Sequence, residues 1–308
     1  MKKAIQFTGV IPILATPFDE QENLDLESFE RMIRFMVSLG VDGITILGVL
    51  GESNRLLDSE REKIIKVAVA ICRGRLPLIV GASHSGTLAA LRLSQMAEFL
   101  GADAVMLAPH NEPTPNEQRV FDYFQRVAND LRIPIVAQDH PASTQVHMSV
   151  PFLLRLINEI PSIACIKEEA VPTPPKIQAL QSGMTGRKVP ILTGLGALYG
   201  GFDLSRGSSG FNTGFAFPEV LQAMANAAQV NDWVMVNDLY RRYLPLITFE
   251  QQPGVAIRKE ILRMRGVIAC NQVRHPGVRI DAATTKQLQS LIETTFEGAD
   301  ISKPLQIT

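Results

Sequence analysis

One lysine near the middle of the chain has the clearest potential for chemistry. Residues 163–170 read I-A-C-I-K-E-E-A, and the first four are apolar or small, as in a buried strand of a parallel sheet. Lys167 follows at the expected C-terminal end of that strand. A buried ammonium group must reach water, pair with a carboxylate or lose its proton. Two interpretations stay open: an ion pair with Glu168 or Glu169, or an amine that forms a Schiff base with a carbonyl substrate.

Composition narrows the class of protein. The 308 residues are 46% apolar and 20% charged, enough to bury the core of one large domain or two small ones. A net charge of -1 gives no reason to expect nucleic acid or a membrane as partner, and no apolar run approaches transmembrane length. Cys72, Cys165 and Cys270 are odd in number and lack metal-binding spacing. We therefore expect a cytoplasmic protein without structural disulfides or zinc.

The chain alternates predicted strands and helices, with one strand in roughly every 25 to 30 residues, the size of a βα unit. The eight predicted strands are 10–16, 43–47, 77–82, 104–109, 133–139, 163–167, 189–194 and 210–215. Eight repeats favour a (β/α)8 TIM barrel over a doubly wound sheet, because no G-x-G-x-x-G follows the first strand. After residue 228 only helical patterns remain. We expect a barrel over residues 1–228 and a C-terminal helical segment over 229–308.

Several helix ends carry local signals. Gly40 is placed to end the first helix, since glycine readily adopts the left-handed conformation found there. Ser59 and Glu62 have the spacing of a capping box at the start of the second helix. Thr114 and Pro115 predict the start of the fourth helix, as N-cap and first helical residue.

In a barrel of this type, functional groups lie at the C-terminal ends of the strands and in the loops that follow. The segments expected at this mouth are 16–17, 48–53, 109–113, 138–144 and 167–170. The turn at 48–53, G-V-L-G-E-S, can present backbone N-H groups to a carboxylate. An ordinary βα turn without a ligand is the alternative.

These motifs together resemble one enzyme family. The opening G-V-I-P-I-L-A-T-P-F, the G-x-x-G-E-S turn, Pro141 two residues past Asp139, and I-K-E are similar to the dihydrodipicolinate synthase and N-acetylneuraminate lyase family, in order and spacing. The resemblance covers essentially the whole chain. It implies a (β/α)8 barrel with a helical extension, usually a homotetramer with a homodimer as the alternative, and an imine between Lys167 and a small 2-oxo acid. It implies no cofactor and no metal.

The turn departs from the family pattern. The family usually has Thr-Thr or Ser-Thr between the two glycines, where hydroxyl groups hold the substrate carboxylate. Here Val49 and Leu50 stand between Gly48 and Gly51. The resemblance still makes these four residues substrate-binding candidates, through backbone amides. Glu52 is a further candidate, expected to orient the turn.

The proton relay departs as well. The family's tyrosine after strand five is replaced by Gln138, which stays among the catalytic candidates although an amide does not shuttle protons at neutral pH. Asp139 is the first candidate to replace the tyrosine, and a structural Asx turn is its alternative. His140, also a substrate-binding candidate, and His110 are further proton carriers or solvated loop histidines.

Other positions bear on the substrate. Dihydrodipicolinate synthases carry an arginine where this chain has Ser143, and residues 109–111 read P-H-N in place of P-Y-Y-N. The segment 206–219 looks more like the 2-keto-3-deoxy sugar acid branch. Gly194 and Asn212 match positions that line the far wall of the pocket, so they are candidate substrate contacts.

The sequence therefore predicts a Schiff-base lyase that acts on a 2-oxo acid. The protonated imine is an electron sink, so loss of a C3 proton gives an enamine, and loss of the C4 hydroxyl is a dehydration. Cleavage of the C3 to C4 bond in the imine is a retro-aldol reaction. Dihydrodipicolinate synthase activity proper stays open. So does a non-catalytic relative that binds a 2-oxo acid, which Val49, Leu50 and Gln138 favour.

Overall fold

Eight short parallel strands form one curled sheet. The computed structural model describes residues 5–110, 116–252 and 254–307. The strands are β1 Gly9–Val10, β2 Ile44–Ile46, β3 Leu78–Gly81, β4 Ala104–Leu107, β5 Ile135–Asp139, β6 Ile163–Glu168, β7 Ile191–Thr193 and β8 Gly210–Phe211. Their spatial order is β1-β8-β7-β6-β5-β4-β3-β2. The prediction of eight parallel strands, each followed by helix, is confirmed.

Helices cover the outer face of this sheet and continue beyond it. Those between and after the strands are α1 Leu26–Leu39, α2 Asp58–Cys72, α3 Thr87–Leu100, α4 Glu117–Asn129, α5 Pro141–Thr144, α6 Val150–Glu159, α7 Thr173–Gly183, α8 Gly200–Ser205 and α9 Pro218–Gln229. The last three helices are α10 Trp233–Phe249, α11 Gly254–Met264 and α12 Ala282–Thr295. The predicted boundary at residue 228 falls inside α9, and the division there stays a prediction. No helix in the described part of the chain is long and apolar enough to cross a membrane.

The curl brings the two outermost strands together. Leu14 N donates to Thr45 O at 2.8 Å, and Thr45 N donates to Pro12 O at 2.8 Å. These bonds join the chain after β1 to β2, so the strand order returns to its start. Backbone groups that a flat sheet would leave unpaired at its edges are therefore satisfied here.

The period of two along each strand separates an inner from an outer set of side chains. The inner set fills the space enclosed by the sheet and comprises Phe7, Ile11, Ile79, Ala104, Met106, Val136, Cys165 and Leu192. Alternate residues such as Ile44, Ile135 and Ile166 belong to the larger core under the helices. Because Cys165 faces inward on β6, Lys167 faces inward too. The fold therefore places the lysine inside the curled sheet.

The helix-end predictions have mixed outcomes. Helix α1 ends at Gly40, which is left-handed with φ 67°, as predicted. The capping box at Ser59 is wrong, because α2 begins at Asp58 and the Glu60 carboxylate accepts from Leu57 N at 2.9 Å. Thr114 and Pro115 lie outside the described residues. Helix α4 begins at Glu117 behind the N-cap residue Asn116.

Replacing Gly40 with alanine tests the left-handed cap. A Cβ at Gly40 meets no atom within 4 Å, so the change adds backbone strain without a clash. We expect Gly40→Ala to lower the free energy of unfolding by about 1 to 2 kcal/mol in urea titrations. Gly186→Ala is the matched control, because its Cβ also meets nothing and its φ is not left-handed. Equal stability of the two variants would contradict the cap assignment.

Candidate active site

Lys167 is almost fully buried at the C-terminal end of β6. Its residue surface is 2% exposed, and its Nζ lies 2.9 Å from Glu169 Oε2. Residues two apart in extended chain share a face, so Glu169 follows Lys167 into the interior while Glu168 points outward. Of the two ion-pair partners considered from sequence, the structure selects Glu169.

Glu169 is the common acceptor of this site. Its Oε2 accepts from Gln138 Nε2 at 2.6 Å, and its Oε1 accepts from Leu195 N at 2.9 Å. Burial alone would raise the pKa of Glu169, but the charges of Lys167 and His140 and these two bonds lower it below its usual value. The group is therefore a carboxylate at neutral pH.

Gly194 makes room for this carboxylate. A Cβ at Gly194 would lie 2.2 Å from Glu169 Cγ and 2.3 Å from its Oε1. Any larger residue would have to displace the acid that holds Lys167. Gly194 was predicted as a substrate contact, and the structure places it against Glu169.

Gln138 joins the lysine through Glu169. The two strands pair in register, with Gln138 opposite Lys167 and Asp139 opposite Glu168. Gln138 is buried and donates its amide to the same carboxylate oxygen that contacts Lys167. The structure thus brings together two predicted catalytic residues and adds Glu169, which the sequence analysis considered only as an ion-pair partner. The alternation of strand residues was the signal that could have selected it.

Asp139, predicted as a polar partner in the pocket, does not share the partners of Lys167. Its carboxylate faces the helical layer and pairs with Lys176 of α7, not with Lys167. The physical reason is again alternation, because Asp139 is one residue past the inward-facing Gln138. Burial raises the pKa of Asp139, and the charge of Lys176 opposes that shift.

His140 lies at the start of α5, close to the acid. Its Nδ1 is 2.7 Å from Ser143 Oγ, and the residue is half-buried. Burial lowers the pKa of His140, although the Glu169 carboxylate partly opposes this. The imidazole is therefore neutral at pH 7 and remains a candidate proton carrier. His110 is exposed and stays a prediction in that role.

The turn after β2 is a 3-10 turn of Val49–Gly51 with Gly48 before it and Glu52 in a left-handed conformation after it. Thr16 Oγ1 donates to Gly51 O at 2.6 Å, which ties the turn to the chain after β1. Leu50 packs so closely on Gly214 that a Cβ there would lie 2.1 Å from Leu50 Cδ1. Val49 is 52% exposed. Binding of a carboxylate by these residues stays a prediction.

Glu52 anchors the turn to the C-terminal helices. Its carboxylate is buried and lies 2.5 Å from Lys259 Nζ and 2.7 Å from Arg55 Nη1. It also accepts from Arg274 N at 3.0 Å. Burial lowers the pKa of Lys259 to about 8, although Glu52 opposes the shift. Orientation of the turn by Glu52 was predicted, whereas Lys259 and Arg274 were missed because no local pattern links them to it.

Asn212 ties three strands together. It is fully buried, and its Nδ2 donates to Ile11 O at 2.7 Å and to Thr45 Oγ1 at 2.9 Å. These bonds connect the chain at β8 to that at β1 and β2. Asn212 was predicted to contact substrate, but the structure commits both amide hydrogens to the sheet.

Cys72 and Cys165 are buried and Cys270 is half-buried, all as free thiols. Burial raises the pKa of Cys72 to about 12, so it carries a proton at neutral pH. Within residues 5–110, 116–252 and 254–307, no three His, Cys, Asp or Glu side chains are grouped to hold a metal ion.

Comparison with known proteins identifies the family. Residues 6–295 match the family model described as the dihydrodipicolinate synthetase family. The chain belongs to this family. It is 32% identical over 295 residues to the L-2-keto-3-deoxyarabonate dehydratase of Azospirillum brasilense, covering 92% of this chain and 93% of that protein.

Two other members of the dihydrodipicolinate synthetase family are similar over nearly the same span. The chain is 28% identical over 284 residues to the 4-hydroxy-tetrahydrodipicolinate synthase of Brucella abortus, covering 91% of this chain and 95% of that one. The crystal structure of dihydrodipicolinate synthase from Rhodopseudomonas palustris matches with a TM-score of 0.89 at 28% identity. That match covers 95% of this chain and 99% of the other. The family assignment from sequence is therefore confirmed, and with it a family of lyases.

Lys259→Met tests the anchor on Glu52. Methionine keeps a similar apolar side chain but removes the ammonium group, with its contact 4.3 Å from the centre of the Phe18 ring and its hydrogen bond to Gln272 O at 2.6 Å. Because Glu52 would remain buried with one cation fewer, we expect the free energy of unfolding to fall by about 3 kcal/mol in urea. Lys66→Met, which breaks the exposed pair with Glu62, should cost about 0.5 kcal/mol. Similar losses in both variants would contradict the anchor.

Proposed function

We propose that this protein is a lyase that acts on a 2-oxo acid through an imine on Lys167. The observation that carries the proposal is the buried amine of Lys167 inside the curled sheet, 2.9 Å from Glu169. The alternative considered from sequence, an ion pair, is present in the structure. The pair of Lys167 and Glu169 is then the resting state of the catalyst, since a buried lysine can pass its proton to a carboxylate beside it.

Imine formation follows from this contact. Glu169 accepts a proton from the Lys167 ammonium, and the neutral Nζ attacks C2 of the 2-oxo acid. The carbinolamine then loses its hydroxyl as water, with the proton returned by Glu169, and leaves a protonated imine. Gln138 and Leu195 N hold the carboxylate in place during both transfers, because each donates to it. No proton is lost or gained overall.

The same carboxylate is placed to replace the family's tyrosine. Gln138 stands at the tyrosine position and has no titratable group, but it donates to Glu169. Removal of a C3 proton by Glu169 gives the enamine, and Glu169 then returns this proton to the C4 hydroxyl, which leaves as water. Hydrolysis of the remaining imine releases the dehydrated acid and restores the Lys167 amine. His140 is the alternative proton carrier, because it lies near enough for the Glu169 charge to oppose the lowering of its pKa by burial.

Dehydration of a 2-keto-3-deoxy sugar acid is the favoured reaction. The relative at 32% identity is named for such a dehydratase. Ser143 offers no positive charge for a second substrate carboxylate, which weighs against dihydrodipicolinate synthase activity proper. Aldol cleavage of the same class of acid uses the same imine and is the second candidate. A non-catalytic binder would need no buried carboxylate beside the lysine.

The same proposal includes the closure of the sheet into a barrel and the helical segment that follows it. The joined edges of the sheet and the match to a solved family structure support a closed (β/α)8 barrel followed by a C-terminal helical segment. We also propose that the protein is a homotetramer or homodimer in the cytoplasm. Its ligand is then a small-molecule substrate.

Trapping with borohydride tests the imine. After incubation with pyruvate or a 2-keto-3-deoxy sugar acid, reduction should leave a stable adduct of one acid on the intact protein. Peptide mapping should place it on Lys167. Lys167→Ala should abolish the adduct, whereas Lys66→Ala, an exposed lysine, should retain it. An unmodified wild-type protein with every 2-oxo acid tried would favour the binding alternative.

Glu169→Gln tests the proton carrier. The amide keeps the size of the side chain but takes up no proton, so turnover should fall by about 10² to 10⁴-fold. Glu159→Gln is the control, because Glu159 is an exposed partner of Arg155. Turnover of Glu169→Gln within a few-fold of wild type would assign the proton transfers to another group, such as His140.

A further inference from the structure

A second charged cluster lies directly behind the candidate active site, on the outer face of the sheet. Lys176 of α7 pairs with Asp139 at the end of β5, and its Nζ lies 3.7 Å from Glu168 Oε2 at the end of β6. Lys176 also donates to Met148 O at 2.8 Å, in the chain between α5 and α6. One cation therefore links two strand ends, a helix and a loop.

The cluster and the active site are interleaved along the same two strands. Gln138 and Lys167 pair in register and face inward, and the next pair in register is Asp139 and Glu168. Because the two pairs are consecutive along the same strands, a displacement of the outer pair also shifts the inner pair. The contacts from Gln138 and Lys167 to Glu169 are 2.6 and 2.9 Å, so they have little tolerance for such movement.

The charge balance of the cluster depends on Lys176. Asp139 and Glu168 are both fully buried, and Glu168 Oε2 has no hydrogen-bond partner. Without the ammonium group, the buried Asp139 would lose its ion-pair partner, and it would repel Glu168 at a pH where both carboxyls are ionised. Lys176 itself is 16% exposed at the side chain, so the cation enters from the helical layer.

Other charged groups face this cluster from each neighbouring element. Burial raises the pKa of Asp139, and the charges of Lys176 and, less strongly, of His147 on the loop before α6 oppose that shift. Burial, Asp139 and Glu169 raise the pKa of Glu168, whereas Lys176 lowers it. Burial is the largest of the causes that together raise the pKa of Glu168 to about 8. Since the usual value is 4.5, the folded protein keeps a proton that the unfolded chain releases. Glu168 thus makes stability fall as pH rises from 4.5 to about 8, where it becomes charged.

We propose that Lys176 is a positioning residue for imine formation. It pairs with Asp139 on β5 and lies 3.7 Å from Glu168 on β6, and so holds the two strands in the spacing that Lys167, Glu169 and Gln138 require. The inference rests on the proposed function, because its readout is the Lys167 imine. It adds a residue that touches neither substrate nor the reacting atoms.

The first test compares rates of imine trapping with pyruvate. Samples are quenched with borohydride at fixed times, and adduct is counted by intact mass. Lys176→Met should lower the trapping rate at pH 7 by about 10 to 100-fold, while Lys66→Met should not change it. No adduct in the wild-type protein would overturn the proposed function and this inference with it. A wild-type adduct with an unchanged rate in Lys176→Met would overturn this inference alone.

Two further variants separate charge from general loss of structure. Adding Asp139→Asn to Lys176→Met removes the buried carboxyl that has lost its ion-pair partner, and should return the rate to within about fivefold of wild type. A double variant as slow as Lys176→Met would overturn the proposal.

The second readout is the pH dependence of the trapping rate in Glu168→Gln. The glutamine keeps a side-chain oxygen that can accept the hydrogen bond from Ala170 N. The ratio of the wild-type trapping rate to that of Glu168→Gln should fall as pH rises through about 8, because only wild type gains a charge there. A ratio that stays constant through that pH would also contradict the proposal. Because Lys176 is present in both proteins, this comparison does not depend on the stability of Lys176→Met.

Discussion

The candidate active site depends on one buried carboxylate. Glu169 accepts from Gln138 and Leu195 N and contacts the ammonium of Lys167. A buried charge is costly unless it is paired and hydrogen-bonded, and here each carboxylate oxygen has a fixed partner. The three donors come from three consecutive strands or the chain just after them. The position of the amine is thus set by the curled sheet itself, and Gly194 leaves the space that the carboxylate needs.

The strand period of two divides the charges at β5 and β6 into two systems. Lys167, Gln138 and Glu169 belong to the inner one, where the proposed chemistry takes place. Asp139 and Glu168, with Lys176, belong to the outer one, between the sheet and the helices. The two lysines and three carboxyls at the ends of β5 and β6 and on α7 therefore have separate partners. A one-residue shift in register would exchange the two systems.

Sequence reasoning predicted the parts that depend on local pattern and on resemblance. The eight strands, the placement of Lys167 at the end of β6 and the family are of this kind. Asp139 was predicted from its chemical type, whereas the alternation from Gln138 indicates that its side chain lies on the other face of the sheet, where it pairs with Lys176. The same alternation could have chosen Glu169 over Glu168. Contacts such as that of Arg274 with Glu52, 222 residues apart, leave no local signal and need the folded chain.

The central claim is that the Lys167 amine leaves its ion pair to bond a 2-oxo acid. A crystal structure of the protein soaked with pyruvate tests this most directly. The account predicts a covalent bond from Lys167 Nζ to C2 of the acid, with Glu169 still accepting from Gln138 and Leu195 N. Pyruvate bound elsewhere, or bound near a Lys167 that remains paired with Glu169 and unmodified, would contradict it.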